Sequence, residues 1–146
     1  MNATLTRPDP TKARDYFTDK MQFTTGPMEL KRAIDQKSVV VVDVRAAEDY
    51  AKGHIPGAIS LPQDKWEQPP ASLSKDRTNV LYCYSQVCHL AAKAAMGLTA
   101  RGYPVMELEG GFEGWKDYDM PVETGQGKRS TGAMTPADRS PKQENL

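Results

Sequence analysis

Cys83 and Cys88 are the two cysteines of the chain, and they bracket one short stretch, Cys83-Tyr84-Ser85-Gln86-Val87-Cys88-His89. Asn79-Val80-Leu81-Tyr82 before it reads as an apolar strand, and the alanine-rich run from Leu90 reads as a helix. A thiol placed between a strand end and a helix start meets unpaired backbone N–H groups and the positive end of the helix dipole. Such a setting lowers a thiol pKa from about 8.5 to roughly 3.5–7.5, and it also seats an anion. The chemistry expected of Cys83 is therefore that of a thiolate nucleophile in an anion-binding loop, Tyr84 to His89.

Three roles are open to Cys88: a resolving thiol that forms a disulfide with Cys83, a second sulfur carrier, or a lining residue of the loop. His89, at the expected helix start, either stabilises a thiolate and positions substrate or is a solvated capping residue. His54 lies in the glycine- and proline-rich run Gly53-His54-Ile55-Pro56-Gly57 and reads as part of a turn. The four Cys and His residues do not follow common zinc-ligand spacings, so no metal and no cofactor is expected. A phosphatase or arsenate reductase needs an arginine to clamp a tetrahedral oxyanion. In the phosphatase loop that arginine falls six residues after the cysteine, where this chain has His89. Imidazole lacks the bidentate fork, which argues against that chemistry.

The surrounding elements must position this loop. Ser38-Val39-Val40-Val41-Val42 is a continuous β-branched run, the pattern of a strand buried on both faces of a parallel sheet. It ends on Asp43-Val44-Arg45, two charges at a strand's carboxyl end, where open α/β sheets build their sites. Further short strands are expected at Phe23-Thr24-Thr25, Ala58-Ile59-Ser60-Leu61 and Val105-Met106-Glu107-Leu108. Helices are expected after Pro27 (apolar side Met28, Leu30, Ala33, Ile34), at Glu48–Lys52, from Leu90 to Ala100, and at Phe112–Lys116. Trp66 is expected as a packing anchor in the loop from Asp64 to Pro70, and Met28, Met96 and Met106 as core residues. The alternation of strands and helices predicts an α/β fold with a parallel sheet and helices on both faces.

Composition narrows the function classes. The chain has 146 residues and balanced charge, 19 basic against 19 acidic, so nothing electrostatic points to nucleic acid or an anionic membrane as partner. Mean hydropathy is −0.63, with the polar excess concentrated at the ends. No apolar run approaches the roughly 18 residues of a membrane span. The first twenty residues hold Asp9, Asp15 and Asp19, which does not resemble a secretory leader, and two cysteines do not make a disulfide framework. A cytoplasmic setting with reduced thiols is expected. Residues 1–22 are expected to form an N-terminal arm, with a short helix starting near Asp9 or Thr11. Residues 23–123 are expected to form the domain, and 124–146 a disordered tail.

Four pieces, in order, resemble the rhodanese-like (sulfurtransferase) domain. They are Val41-Val42-Asp43-Val44-Arg45, Gly53-His54-Ile55-Pro56-Gly57-Ala58, the strand leading into Cys83, and Gly110-Gly111-Phe112-Glu113-Gly114-Trp115. The resemblance implies a five-stranded parallel sheet flanked by helices, with Cys83 carrying sulfane sulfur as a persulfide. It implies a small sulfur-containing anion (thiosulfate or polysulfide) or a protein persulfide as donor, and a thiol or cyanide as acceptor. It implies that Asp43 and Arg45 brace the active loop, and that Gly110, Gly111 and Trp115 serve turn and packing. The loop departs from the usual pattern. Gln86 stands where a glycine is usual, and the Cys-x4-Cys spacing resembles a bacterial subset with a second cysteine. The departure predicts a loop that is either wider than usual or closed by Cys88, and less efficient use of thiosulfate. A thiol–disulfide redox or sulfur-relay protein using Cys83 and Cys88 is the alternative.

Overall fold

The computed structural model describes residues 5–126. A 14-residue helix opens it, α1 (Pro10–Phe23), capped by the Asp9 carboxylate accepting from the Thr11 backbone N–H at 3.3 Å. Pro10 occupies the first turn, where its missing N–H costs nothing. Then follow β1 (Thr24–Thr25), α2 (Pro27–Asp35), β2 (Val39–Asp43), α3 (Ala47–Lys52) and β3 (Ile59–Ser60). A 3₁₀ turn at Gln63–Lys65 leads to β4 (Thr78–Tyr82), α4 (Leu90–Ala100), β5 (Val105–Leu108) and α5 (Gly111–Asp117). The expected N-terminal helix is thus longer than a short arm would hold. It runs directly into β1, which begins at Thr24 and not Phe23. The part of the expected tail from residue 127 lies outside the described residues. No helix among the described residues is long and apolar enough to cross a membrane.

The five strands form one parallel sheet in the order β1-β5-β4-β2-β3. The valine run of β2 explains its central place. Val41 packs into one core with Leu30, Tyr50, Ile55 and Trp115, while Val40 and Val42 pack into another with Leu81, Ala91, Ala94 and Leu98. Alternate side chains of a strand face opposite sides, so a strand buried on both faces needs apolar residues at every position. The α4 face has the smaller side chains, and Ala91, Ala94 and Leu98 let this helix lie close on β4 and β5. Cys83 belongs to this α4-side core.

Two of the three methionines assigned to the core are not in it. Met28 is 57% and Met96 73% exposed, while Met106 packs partly against the core. In α4 the sheet-facing stripe runs through residues 91, 94 and 98, which turns position 96 to solvent. In α2 the buried residue is Leu30, with Ile34 one turn on, and Met28 falls outside that stripe. Trp66 does anchor its loop: it packs on the α4-side core and its indole N–H donates to the Leu61 carbonyl at 2.9 Å.

Candidate active site

Strand β4 delivers Cys83 to the carboxyl edge of the sheet, and the chain then doubles back through Tyr84 to His89 before α4 begins. The loop contains a tight turn closed by the Cys88 N–H donating to the Ser85 carbonyl at 3.2 Å. It is held from α5. The Phe112 N–H donates to the Cys83 carbonyl at 2.9 Å and the Glu113 N–H to the Tyr84 carbonyl at 3.0 Å. Gln86, at the position where a glycine was expected, accepts the Gly110 N–H on its Oε1 at 2.6 Å. The Tyr84 hydroxyl hydrogen-bonds the Asp49 carboxylate and accepts the Ala46 N–H at 3.3 Å, which ties the loop to α3. Val87, 82% exposed, is the tip.

The loop covers the Cys83 thiol. The Cys83 thiol donates to the Cys88 carbonyl at 3.4 Å, and Cys83 is only 3% exposed. Both thiols are free, and Cys88 is half-buried. Their titrations oppose one another. Burial pushes the Cys83 thiol up to about 11, and the hydrogen bond and charge of the Cys88 thiol add to the rise. The backbone N–H groups of Ala91 and Tyr84 oppose it. For Cys88, burial acts upward, but the hydrogen bond from Cys83 and the N–H groups of Tyr84 and Leu90 bring its thiol below the ordinary value. The expected lowering of a thiol pKa by the start of a helix therefore falls on Cys88. At Cys83 the cost of burying a thiolate exceeds what the helix N–H groups return.

Asp43 and Arg45 meet in a buried pair, Arg45 Nη2 to Asp43 Oδ2 at 2.8 Å. The Arg45 backbone N–H also donates to Asp43 Oδ1 at 2.9 Å, and Nη2 reaches the Gly53 carbonyl at 2.6 Å. The Tyr82 hydroxyl donates to Asp43 Oδ2 at 2.6 Å and accepts the Ile55 N–H at 3.0 Å. The guanidinium lies 4.3 Å from the centre of the Phe112 ring and 5.5 Å from that of Tyr84. Burial works against the Arg45 charge, yet hydrogen bonding and charge from Asp43 hold its pKa above the ordinary value. These contacts join β2, β4, the Gly53–Ile55 turn and α5 beneath the loop. Among the described residues no hydrogen bond from Asp43 or Arg45 reaches either thiol.

His54 is fully buried and stacks on Tyr50 at 3.7 Å between ring centres, with Nδ1 2.7 Å from the Tyr50 carbonyl and Nε2 3.3 Å from Glu123 Oε1. A carbonyl only accepts, so Nδ1 carries a proton and donates to it. His54 therefore belongs to its turn, away from the thiols. His89 is exposed at the N-cap of α4, but its side chain makes no cap hydrogen bond. It lines a cavity of about 170 Å³ with Cys88, Gln86, Glu107 and Glu109. On the other side of the loop, Tyr84 and Leu90 border a more open cleft of about 540 Å³ with Ala46, Glu48, Gln63 and Lys65.

Two contributors escaped the sequence reading: Asp49 anchors Tyr84, and Glu107 faces the Cys88 cavity. Gly111, expected to serve turn and packing, sits against the loop backbone. Glu107 did carry a signal: it is the one charged residue in the strand Val105-Met106-Glu107-Leu108.

The class of protein follows from the five-stranded parallel α/β sheet. The rhodanese-like domain family model matches residues 26–118, and the chain belongs to that family. It is 37% identical over 97 residues to the HTH-type transcriptional regulator Rv0324 of Mycobacterium tuberculosis, covering 66% of this chain and 43% of that protein. The chain thus spans less than half the length of that relative. It is 33% identical over 107 residues to the thiosulfate sulfurtransferase GlpE of Pseudomonas fluorescens, covering 73% of this chain and 95% of that one. Among solved structures, the BH2092 protein of Bacillus halodurans superposes with a TM-score of 0.74 at 33% identity, over 88% of this chain and 96% of the other.

Proposed function

We propose that the chain is a sulfurtransferase or persulfide carrier that moves sulfane sulfur through a persulfide on Cys83. The donor is thiosulfate, a polysulfide or a protein persulfide, and the acceptor is a thiol or cyanide. The observation that carries the reading is the place of the Cys83 sulfur. It stands at the end of β4, with the N–H groups of Ala91 and Tyr84 turned toward it and a second, more acidic thiol beside it. Sulfurtransferase relatives such as GlpE support it at the level of the family.

The pair resolves a difficulty, since a buried thiol with a raised pKa is a weak nucleophile alone. Cys88 loses its proton first and receives that of Cys83 as Cys83 attacks the outer sulfur of the donor. With thiosulfate, the S–S bond of the donor breaks, sulfite leaves with the electron pair, and Cys83 holds the persulfide. Loop N–H groups stabilise the negative charge on the transferred sulfur. Acceptor attack on that sulfur returns the electron pair to the Cys83 sulfur.

Intact mass after incubation of the reduced protein with thiosulfate, then polysulfide, tests this. A gain of about 32 Da, one sulfur atom, is expected, lost in Cys83→Ser and retained in Cys88→Ala. Cyanide-dependent sulfur transfer that survives Cys83→Ser undiminished sinks the reading. The nearness of the two thiols favours one second reading, a thiol–disulfide or relay protein. It predicts a loss of about 2 Da that requires both cysteines.

A further inference from the structure

Glu107 is a half-buried carboxylate that the sulfur-transfer chemistry above leaves without a role. It lies on β5 opposite Leu81 of β4 and Thr24 of β1. Residues paired across parallel strands point to the same face, so Glu107 shares the α4 face with Leu81 and Cys83. It lines the 170 Å³ cavity on which Cys88 and His89 open. The second carboxylate of that cavity, Glu109, is paired with Lys20 of α1. Glu107 makes no ion pair or side-chain hydrogen bond among the described residues. Burial and the charge of Glu109 raise its pKa, the charge of His89 lowers it, and its own charge raises that of the Cys88 thiol.

We propose that the Cys88 cavity is the entry for the sulfur acceptor, and that Glu107 selects acceptor thiols without a negative charge near the sulfur. The inference rests on the sulfur-transfer reading and adds the acceptor class. Cys83 is almost fully covered, whereas Cys88 borders open space. An acceptor approaching there meets one unpaired carboxylate. An acceptor thiolate attacks the outer sulfur of the persulfide, and the bond from that sulfur to the enzyme sulfur breaks. The electron pair stays on the enzyme sulfur, and the acceptor leaves as its own persulfide. Its thiol proton goes to solvent before attack. A second carboxylate on the acceptor is repelled by Glu107, while an ammonium is attracted.

The test compares three acceptors of like size on persulfide-loaded protein: cysteamine, 2-mercaptoethanol and 3-mercaptopropionate. Their intrinsic reactivities differ, so the readout is the change in each kcat/KM ratio between the native protein and Glu107→Gln. The variant is expected to improve 3-mercaptopropionate relative to 2-mercaptoethanol by roughly tenfold and to reduce the relative advantage of cysteamine, the size of effect one nearby charge exerts in a partly solvated site. Asp117→Asn, at the exposed end of α5, is expected to change neither ratio. Loading with unchanged ratios overturns this inference and leaves sulfur transfer standing; failure of the native protein to load overturns both. A second measurement needs no variant: in the native reduced protein, iodoacetamide is expected to outpace iodoacetate at Cys88 by more than it does on a free model thiol. An unshifted ratio there counts equally against the role of Glu107.

Discussion

A methyl group on Gly111 would stand 2.7 Å from the backbone nitrogen of Ser85, inside the active loop. It would also lie 2.8 Å from the Tyr84 carbonyl carbon and 2.9 Å from the Cys83 oxygen, so every atom in its way is main chain. Gly111 moreover holds φ at +61°, a region costly for any residue with a Cβ. The start of α5 is thus the floor on which the loop rests. Gly111→Ala is expected to lose about 2–4 kcal/mol of stability and to abolish persulfide loading. Gly57→Ala is the comparison: its φ is +81° but nothing lies within 4 Å, so only backbone strain, about 1–2 kcal/mol, is expected. Urea unfolding and intact mass of both variants check this. Equal behaviour of the two would mean that contact with the loop does not matter.

The Asp43–Arg45 pair is buried. Removing one partner of a buried pair leaves the other charge uncompensated, at a cost of about 3–5 kcal/mol. Arg45→Ala is expected in that range. Arg45→Lys keeps the charge but gives up the fork that spans the Asp43 carboxylate and the Gly53 carbonyl, and is expected to fall between native and Ala. Tyr82→Phe strips one donor from Asp43 and leaves the Ile55 N–H without its acceptor, for about 2–3 kcal/mol. Denaturant midpoints rank the three, and an Arg45→Lys protein as unstable as Arg45→Ala would deny the fork its role.

Alkaline stability follows from the buried phenols. Tyr50, whose hydroxyl donates to the Ala58 carbonyl at 2.6 Å, is pushed up to about 12 by burial and by the charges of Glu123 and Asp43. Tyr82 is raised by burial and by Asp43. In the unfolded chain a tyrosine ionises near pH 10, at about its reference value. Between about pH 10 and 12 the unfolded state therefore holds fewer protons than the folded one, and stability falls as pH rises. For Tyr50 the full loss is roughly 2–3 kcal/mol. Urea midpoints at pH 8 and pH 11 should show the decline, and Tyr50→Phe should make it shallower. A steeper decline in Tyr50→Phe would reverse the sign argued here.

The fold was legible because its signals are local. Four consecutive valines state that β2 is buried on both faces, and Asp43 and Arg45 are adjacent enough to pair across one residue. What the sequence withheld depends on contacts between distant segments. Nothing near Gly111 says that a Cβ there would strike Ser85, and nothing near Met96 says which stripe of α4 meets the sheet. The direction of the Cys83 thiol shift was hidden for the same reason. Position at a strand end predicts helix N–H groups, but the burial that outweighs them comes from packing in the α4-side core.

That balance makes the two thiols separable by titration. At pH 8 Cys83 is almost wholly protonated and covered, so iodoacetamide is expected to modify Cys88 first. Cys88→Ala removes a hydrogen bond and a charge that both raise the Cys83 thiol, while the N–H groups of Ala91 and Tyr84 remain. Its titration is expected to move down from about 11, and Cys83 alkylation should begin at lower pH. Cys83→Ala removes the hydrogen bond that lowers Cys88, so the Cys88 titration is expected to move up. Opposite shifts in the two single variants, read from alkylation rates or thiolate absorbance against pH, are the signature of one proton shared between two sulfurs. Shifts in the same direction would mean that each thiol titrates on its own surroundings, and Cys88 could not then serve as the base for Cys83.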